Sequence, residues 1–225
     1  MESKYDYVVF DIETTGLHPD SDQICEIAAI GVKDGLPQGT FSTLVAIEGS
    51  MPEAAGRVNG ITDDMLKGAP AIGDALDAFL DFIGDDAVLA GHNITSFDIP
   101  FMEVAAAKSG RASRVARYHL KECCCDTLML ARMMWPDASG HSMDCLRRVF
   151  GIERTDSHRA LADCYDELAV FNAVMANLMY LLGKDDLMGD VSMDDICSYC
   201  AALARPTYTA CRGYGGYYVS TILAL

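Results

Sequence analysis

Residues 7–16 read Tyr-Val-Val-Phe-Asp-Ile-Glu-Thr-Thr-Gly, and this stretch decides the fold. β-Branched and aromatic side chains dominate it and Thr-Thr-Gly closes it, which predicts a buried strand that runs into a turn. Apolar residues occupy both faces of the strand, so we place it in the centre of a sheet. Side chains two apart on a strand share a face, about 6.6 Å from each other. Asp11 and Glu13 therefore project together from the end of this strand.

These two carboxylates need a positive partner. Unpaired charge beside an apolar core is costly, and like charges repel. No Lys or Arg lies between Lys4 and Lys33, so the neighbouring sequence offers no counter-charge. A divalent cation is the simplest partner for such a pair. The alternative is that Asp11 caps the turn at 14–16 while Glu13 is solvated.

Strands come first along the chain and then alternate with helices. Two further runs with strand composition, 23–32 and 40–47, flank a hairpin signal at Asp34-Gly35. Apolar residues at largely helical spacing follow from Pro52 to Gly84. The later predicted elements are strands at 87–90 and 120–125 and helices at 99–108, 127–135, 143–150 and 158–182. This order predicts an α/β domain with a mixed central sheet flanked by helices.

The composition fits one globular domain with an appendage. The chain has 225 residues, of which 51% are hydrophobic and 22% charged. We expect residues 1–183 to form the domain and residues 184–225 a C-terminal appendage, which is a candidate surface for a protein partner. No apolar run approaches the roughly 18 residues that span a bilayer, and the N-terminus lacks the layout of a secretory signal. We therefore expect a cytoplasmic protein without a membrane, with its nine cysteines reduced.

The charge balance limits how the chain can contact nucleic acid. The formal net charge is −16, whereas a protein that coats a duplex carries the opposite sign. Any such contact must be local or assisted by metal ions. Residues 108–121 are an exception, because they hold five positive charges and no negative one: Lys108, Arg111, Arg114, Arg117 and Lys121. This segment is a candidate track for a single strand, and the alternative is a solvated loop.

A third carboxylate, Asp98, belongs to a second candidate element. The segment from Gly91 to Pro100 leaves a short apolar strand and opens a helix, with Asp98 near the first turn. We expect its carboxylate to face the end of the first strand. The alternative is an ordinary N-terminal helix residue that the helix macrodipole stabilises.

The third element is the run Ser157-His-Arg-Ala-Leu-Ala-Asp163. On a continuous helix His158 and Asp163 would lie about 140° apart around the axis, so both cannot point at one centre. We infer that His158 lies at or before the helix start, with Asp156 or Ser157 as the cap. The alternatives are that His158 is a surface residue and that Asp163 only pairs with Arg159, four residues away.

Together, the three elements resemble the motifs of the DEDDh branch of 3′-to-5′ exonucleases. They occur in the expected order with suitable gaps, over roughly residues 5–182. Flanking stretches are similar too: Asp11-Ile-Glu-Thr-Thr-Gly-Leu17, the run from Met51-Pro to Asn59-Gly-Ile-Thr62, Asp126-Thr-Leu128, and His141-Ser-Met-Asp-Cys-Leu146. The strongest similarity is to the proofreading (epsilon) subunit of bacterial DNA polymerase III and its stand-alone relatives.

The resemblance implies a ribonuclease H-like fold and two divalent cations, Mg²⁺ or Mn²⁺, in the active site. By motif, the metal ligands would be Asp11, Glu13, Asp98 and Asp163. Two cations about 3.5 to 4 Å apart stabilise both the attacking and the leaving oxygen of an in-line phosphodiester displacement. His158 would be the general base, because an imidazole titrates near neutral pH. Bound cations also reconcile an acidic protein with a polyanionic substrate.

The resemblance further implies a set of substrate contacts. They are Thr14, Thr15 and Leu17 at the terminal nucleotide, and His92 and Asn93 at the scissile phosphate. The alternative roles of these residues are turn formation and core packing. The family often has His-Asn-x-x-Phe-Asp, whereas three residues here separate Asn93 from Phe97. The extra residue leaves Asp98 in its Phe-Asp context and departs from the pattern at Asn93.

The sequence therefore predicts a metal-dependent 3′-to-5′ exonuclease that releases nucleoside 5′-monophosphates from single-stranded 3′ ends. We expect DNA to be preferred over RNA, because Thr14 in Glu-Thr-Thr-Gly is more similar to the proofreading type than to the oligoribonuclease type. One alternative is an exoribonuclease that trims RNA 3′ ends. Another is a catalytically silent nucleic-acid-binding or scaffold module. A phosphotransferase with an Asp-x-Asp nucleophile is a further rival, and Glu13 in the second position speaks against it.

Overall fold

The computed structural model describes residues 4–85, 88–116, 124–153 and 159–181. Within these residues the strands form one mixed sheet in the order β3-β2-β1-β4-β5. The strands are β1 (Tyr7–Thr14), β2 (Ile24–Lys33), β3 (Leu36–Leu44), β4 (Leu89–Gly91) and β5 (Cys124–Asp126). β1 pairs antiparallel with β2 and parallel with β4, so the predicted central strand and mixed sheet are confirmed.

Helices cover both faces of the sheet. They are α1 (Glu53–Asn59), α2 (Asp63–Leu66), α3 (Ile72–Ile83), α4 (Asp98–Lys108), α5 (Ala112–Ala116), α6 (Thr127–Met134), α7 (Met143–Phe150) and α8 (Ala160–Leu181). Apolar side chains of α3 and α4 pack in the core on one face, and those of α6, α7 and α8 pack in the core on the other. The described chain is therefore a three-layer α/β/α unit, as the element order predicted.

Side chains of β1 pack alternately into these two cores. Val8, Phe10 and Ile12 pack on the side of α3 and α4, whereas Tyr7 and Val9 pack on the side of α8. Side chains alternate along a strand, so the positions that follow Val9 on its face also project toward α8. β1 therefore places the carboxylates of Asp11 and Glu13 on the α8 side of the sheet.

Two parts of the chain differ from the sequence prediction. β3 covers Leu36–Leu44 and not 40–47, and the hairpin turn lies at Asp34 and Gly35, whose φ angles are 52° and 73°. The helical region from Pro52 to Gly84 is divided into α1, α2 and α3. Gly60 and Gly68 adopt φ angles of 69° and 78°, and such left-handed residues end a helix.

The later predicted elements are present, with bounds that differ by a few residues from the prediction. The strand predicted at 87–90 is observed as Leu89–Gly91, and the one predicted at 120–125 as Cys124–Asp126. The long helix predicted from 158 to 182 is observed from Ala160 to Leu181. Within the described ranges, no helix combines the length and the apolar character that a membrane crossing requires.

Candidate functional site

Three carboxylates meet at the carboxyl end of β1. Asp11 and Glu13 lie near the end of that strand, and Asp163 lies in the first turn of α8, which packs on β1. One oxygen from each of the three lies within 4.8 Å of the other two. The structure thus brings three predicted site residues from opposite ends of the domain to one point. Their role as metal ligands stays a prediction.

The end of β1 is shaped by a β-bulge. Glu13 lies opposite Glu26, whereas Thr14 lies opposite Ile24, so the pairing register shifts between the two. A bulge turns the side chains at a strand end away from regular alternation. Asn59, buried at the end of α1, donates to the Thr14 carbonyl at 3.4 Å and hydrogen-bonds to Glu13. The α1 helix therefore holds the end of β1 that carries the site.

Asp98 lies beside this cluster. It is the first residue of α4, is buried, and accepts a hydrogen bond from the backbone N–H of Ile12 at 3.3 Å. Ile12 separates Asp11 from Glu13 in sequence, so the Asp98 carboxylate faces the end of β1 as expected. The helix start at Asp98 also agrees with the alternative of a helix N-terminal residue, and both descriptions hold at once.

Burial and mutual repulsion raise the pKa values of these carboxyls. Burial, followed by the negative charge of Asp98, raises the pKa of Asp11 well above its usual range. Burial, followed by the charge of Asp163, raises the pKa of Glu13 to about 8. Burial also raises the pKa of Asp98 to about 7. A divalent cation relieves both burial and repulsion, so the donor set fits such an ion.

A further acidic side chain, Glu167, faces the same site and was missed in the sequence. It lies four residues after Asp163 on α8 and is buried. Burial, followed by the charges of Asp98 and Asp126, raises its pKa well above the usual range. Residues four apart on a helix share a face. The spacing from Asp163 on a largely apolar helix was the signal that could have identified Glu167.

A cavity of about 280 Å³ opens beside the carboxylates. Its lining comes from β1, the residue after β4, the start of α7 and the first turns of α8: Asp11, His92, Ser142, Met143, Asp144, Arg147, Asp163, Asp166 and Glu167. Arg147 is buried and donates to Asp144 and to Asp166, so it joins α7 to α8 across the cavity. The cavity is strongly acidic despite this guanidinium.

A loop that carries His92 is anchored by Asp126, a second residue whose importance the sequence did not reveal. The Asp126 carboxylate accepts hydrogen bonds from the N–H groups of Asn93, Thr95 and Leu128 and from the Thr95 hydroxyl, at 2.6 to 3.1 Å. Asn93 adopts a φ of 67°, and its carbonyl accepts from the N–H of Phe97. The extra residue in this motif is thus absorbed by a tight turn that starts at Asn93.

His92 reaches the cavity, whereas Asn93 is outside its lining. The His92 Nδ1 lies 2.9 Å from the Thr127 hydroxyl oxygen. Burial is the largest cause that lowers the pKa of His92 to about 4. The imidazole is therefore neutral near pH 7 and brings no positive charge to the cavity.

The three residues predicted at the terminal nucleotide differ in their exposure. The Thr14 hydroxyl donates to the Gly16 carbonyl at 2.6 Å, and the Thr15 hydroxyl accepts from the N–H of Gln23 at 2.9 Å. Both threonines therefore support the turn, which was their alternative role. Leu17 is 74% exposed, so its apolar side chain is available to a ligand. Their contact with substrate stays a prediction.

The basic segment is engaged by acidic residues of α3. Arg111 and Arg114 both donate to Asp77, and Arg114 also bonds to Asp81. Lys108 donates to the Asp20 carbonyl at 2.7 Å. Arg111 and Arg114 are thus paired with acidic side chains and not simply solvated, while the contact of this segment with a single strand stays a prediction. Arg117 and Lys121 lie outside the described residues.

His158 and residues 184–225 also lie outside the described residues, so the predicted general base and the predicted appendage stay predictions. Arg159, which follows His158, donates to both oxygens of the buried Glu26. That contact fixes the start of α8 against β2.

Comparisons with known proteins agree with this geometry. A model of the RNase T-type exonuclease family matches residues 8–171. The chain is 33% identical to the DNA polymerase III subunit epsilon of Aquifex aeolicus over 180 residues, which are 80% of this chain and 85% of that protein. It is 38% identical over 190 residues to the PolC-type DNA polymerase III of Halalkalibacterium halodurans. That match covers 84% of this chain and 12% of the polymerase, so the chain spans about a tenth of the PolC-type relatives.

Solved structures show the same fold. Exonuclease I of E. coli in complex with a dT13 oligonucleotide matches with a TM-score of 0.65 at 18% identity, over 79% of this chain and 43% of that chain. Exonuclease X in complex with 5′ overhanging duplex DNA matches with a TM-score of 0.54 at 23% identity, over 76% of this chain and 92% of that chain. The predicted ribonuclease H-like fold is thus confirmed. By its family match and its epsilon-subunit relative, the chain belongs to the exonuclease family.

Proposed function

We propose that this chain is a metal-dependent 3′-to-5′ exonuclease that acts at single-stranded 3′ ends and releases nucleoside 5′-monophosphates. One observation carries the proposal: carboxylate oxygens of Asp11, Glu13 and Asp163 lie within 4.8 Å of one another. The buried Asp98 lies next to them, hydrogen-bonded to the strand that holds two of the three. Such a concentration of carboxylates beside a cavity is costly without a cation.

The donor set supports binding of Mg²⁺ or Mn²⁺ by Asp11, Glu13, Asp98 and Asp163. Carboxylate oxygens are the ligands that these hard cations prefer. Two cations at such a site supply charge stabilisation to the attacking and leaving oxygens of an in-line displacement. An acidic protein that binds them can accept a polyanionic strand, which a net charge of −16 alone would repel.

The side chains supply the proton transfer and the positioning. We assign His158 as the general base that takes a proton from the attacking water. The water oxygen bonds to phosphorus, the bond from phosphorus to the 3′ oxygen of the preceding nucleotide breaks, and that oxygen gains a proton. Leu17, which is exposed, would contact the terminal base, while the turn at Thr14 and Thr15 keeps it in place.

DNA as the preferred substrate is supported by the relatives. Relatives of this chain include the PolC-type DNA polymerase III and the DNA polymerase III subunit epsilon. Two solved structures of the same fold are complexes of exonucleases with DNA. We also propose that residues 184–225 contact a protein partner, because the PolC-type relatives carry the matching region as about a tenth of a much longer chain.

The proposal is tested with end-labelled DNA and RNA oligonucleotides of matched sequence. Wild type is expected to shorten the DNA from its 3′ end in Mg²⁺ or Mn²⁺ and to stop in EDTA. Asp98→Asn and His158→Ala are expected to lose at least about a hundredfold in rate. Equal digestion by wild type and Asp98→Asn would contradict the proposal and point to a contaminating nuclease. Faster digestion of RNA would replace the DNA preference with the exoribonuclease alternative.

A further inference from the structure

The side chain of Glu167 is the most unusual polar group in the described part of the chain. It is 4% exposed, and its Oε1 has no hydrogen-bond partner among the described residues. Burial of a polar atom without a hydrogen-bond partner destabilises the folded state, and burial of a charged one destabilises it more. Glu167 therefore needs a partner that the described part of the chain does not provide.

The surroundings of Glu167 are acidic on several sides. The acidic residues near it are Asp11 on β1, Asp98 on α4, Asp126 on β5 and Asp163 on α8. Arg147 brings a positive charge to the same cavity, and it donates to Asp144 and Asp166. With the described acidic residues around it and Arg147 already paired, the fitting partner for the Glu167 oxygen is a cation bound among the carboxylates.

The end of β4 makes room for this oxygen. Gly91 lies there, and a Cβ at this position would lie 3.5 Å from Glu167 Oε1 and 3.2 Å from the Phe10 carbonyl oxygen. The same Cβ would overlap the side chain of Ile94. The carboxyl ends of the parallel strands β1 and β4 lie at one edge of the sheet. The Glu167 oxygen thus lies at the edge that also presents Asp11.

We propose that Glu167 is a fifth carboxylate of the cation site and strengthens divalent-cation binding beyond what the four motif carboxylates provide. The inference rests on the proposed function, because it assigns Glu167 to the same site. Glu167 is outside the three-oxygen cluster and lines the cavity together with Asp11 and Asp163. Its charge acts on a cation held between those two residues.

The test is a titration of the full chain with Mn²⁺ in the absence of nucleic acid, followed by electron paramagnetic resonance of free Mn²⁺. Glu167→Gln removes one charge and keeps the shape of the side chain. Asp144→Asn is the matched control, because it removes one charge from the same cavity at a residue that is 57% exposed. Glu167→Gln is expected to weaken Mn²⁺ binding about tenfold or more. Asp144→Asn is expected to change it less than about twofold, because solvent screens its charge.

A thermal melt provides the second readout. Wild type is expected to gain more in Tm from Mn²⁺ than Glu167→Gln does, since only ligand bound to the native state stabilises it. If Glu167→Gln does not fold, Glu167→Asp keeps the charge on a shorter side chain and is expected to bind Mn²⁺ more weakly than wild type. Equal Mn²⁺ affinity of Glu167→Gln and Asp144→Asn overturns the inference and leaves the proposed function standing. A wild type that binds no Mn²⁺ overturns both.

Discussion

The guanidinium of Arg159 donates to both carboxylate oxygens of Glu26, at 3.0 and 2.7 Å. Glu26 is 1% exposed and lies opposite Glu13 across the sheet, while Arg159 lies just before α8. A two-pronged contact of this kind fixes orientation as well as distance. The pair therefore attaches the start of α8 to β2, one turn before Asp163.

Replacement of Glu26 tests this attachment. Glu26→Gln is expected to lower the free energy of unfolding by about 1–3 kcal/mol, because it leaves the Arg159 guanidinium half-paired in a partly buried place. Urea denaturation measures the change. The control is Glu53→Gln, which breaks an ion pair to Arg57 between exposed side chains and is expected to cost less than about 0.5 kcal/mol. An equal loss in the two variants would show that the pair to Arg159 is unimportant.

The raised carboxyl pKa values predict how the metal-free protein responds to pH. The folded pKa values of Glu13 and Asp98, about 8 and about 7, exceed the usual values of these groups, because burial disfavours the charged form. The folded state therefore binds more protons than the unfolded state between about pH 4 and 8. The stabilising contribution of Glu13 and Asp98 to the free energy of unfolding is therefore complete below about pH 4. It is lost as the pH rises through 7 and 8.

Calorimetry in EDTA is expected to give a Tm that falls from pH 5 to pH 8. Mg²⁺ is expected to raise the Tm more at pH 8 than at pH 5, because protons no longer compete with the cation. Asp98→Asn is expected to flatten the fall, whereas the exposed Asp64→Asn is expected to leave it unchanged. A Tm that rises with pH in EDTA would contradict the raised pKa values.

Asp126 is predicted to position the loop that carries His92. Asp126→Asn replaces one acceptor oxygen by an amide donor, so at least one of its four donors loses its partner. We expect a loss of roughly 3 kcal/mol in unfolding free energy and faster amide hydrogen exchange at residues 92–97. Thr95→Val removes a single donor and is expected to cost about 1 kcal/mol. The prediction fails if Thr95→Val is as destabilising as Asp126→Asn.

Leu17 is predicted to act on substrate binding and not on the chemical step. Leu17→Ala is expected to raise KM about tenfold with little change in kcat, because a buried leucine contact is worth roughly 1.5–3 kcal/mol. Steady-state digestion of a labelled DNA oligonucleotide measures both parameters. Leu36→Ala is the control, since Leu36 is 63% exposed at the start of β3, away from the site. Equal KM changes in both variants would contradict the assignment of Leu17 to substrate binding.

Most of the fold was predictable because β1 has an unambiguous pattern. Its apolar residues on both faces identify a central strand, and the alternation places Asp11 and Glu13 on one face. β3 was harder to locate, because Pro37 and Gly39 interrupt it and most of its side chains are exposed or half-buried. Both residues are tolerated at the edge of a sheet, where one side of the strand needs no partner.

The site was predictable only where a residue belongs to a recognisable pattern. Asp163 was identified through His-x4-Asp, but Glu167 was hidden because four-residue spacing on a helix is usual for core packing as well. The role of Asp126 depends on the backbone N–H groups of a loop more than thirty residues away in sequence, such as that of Asn93. No local pattern reports such a contact, since the donors carry no side-chain signature.

β1 carries Asp11 and Glu13 and α8 carries Asp163 and Glu167, so a cut in the chain between these two elements separates the carboxylates of the site. A fragment that stops between Asp126 and Ala160 retains the five described strands and lacks Asp163 and Glu167, so it holds an incomplete set of carboxylates. A nascent chain on the ribosome is in the same condition until α8 emerges and docks. A cut just before α8 accordingly suits a split nuclease, whose two pieces would regain a complete set of carboxylates only on reassembly.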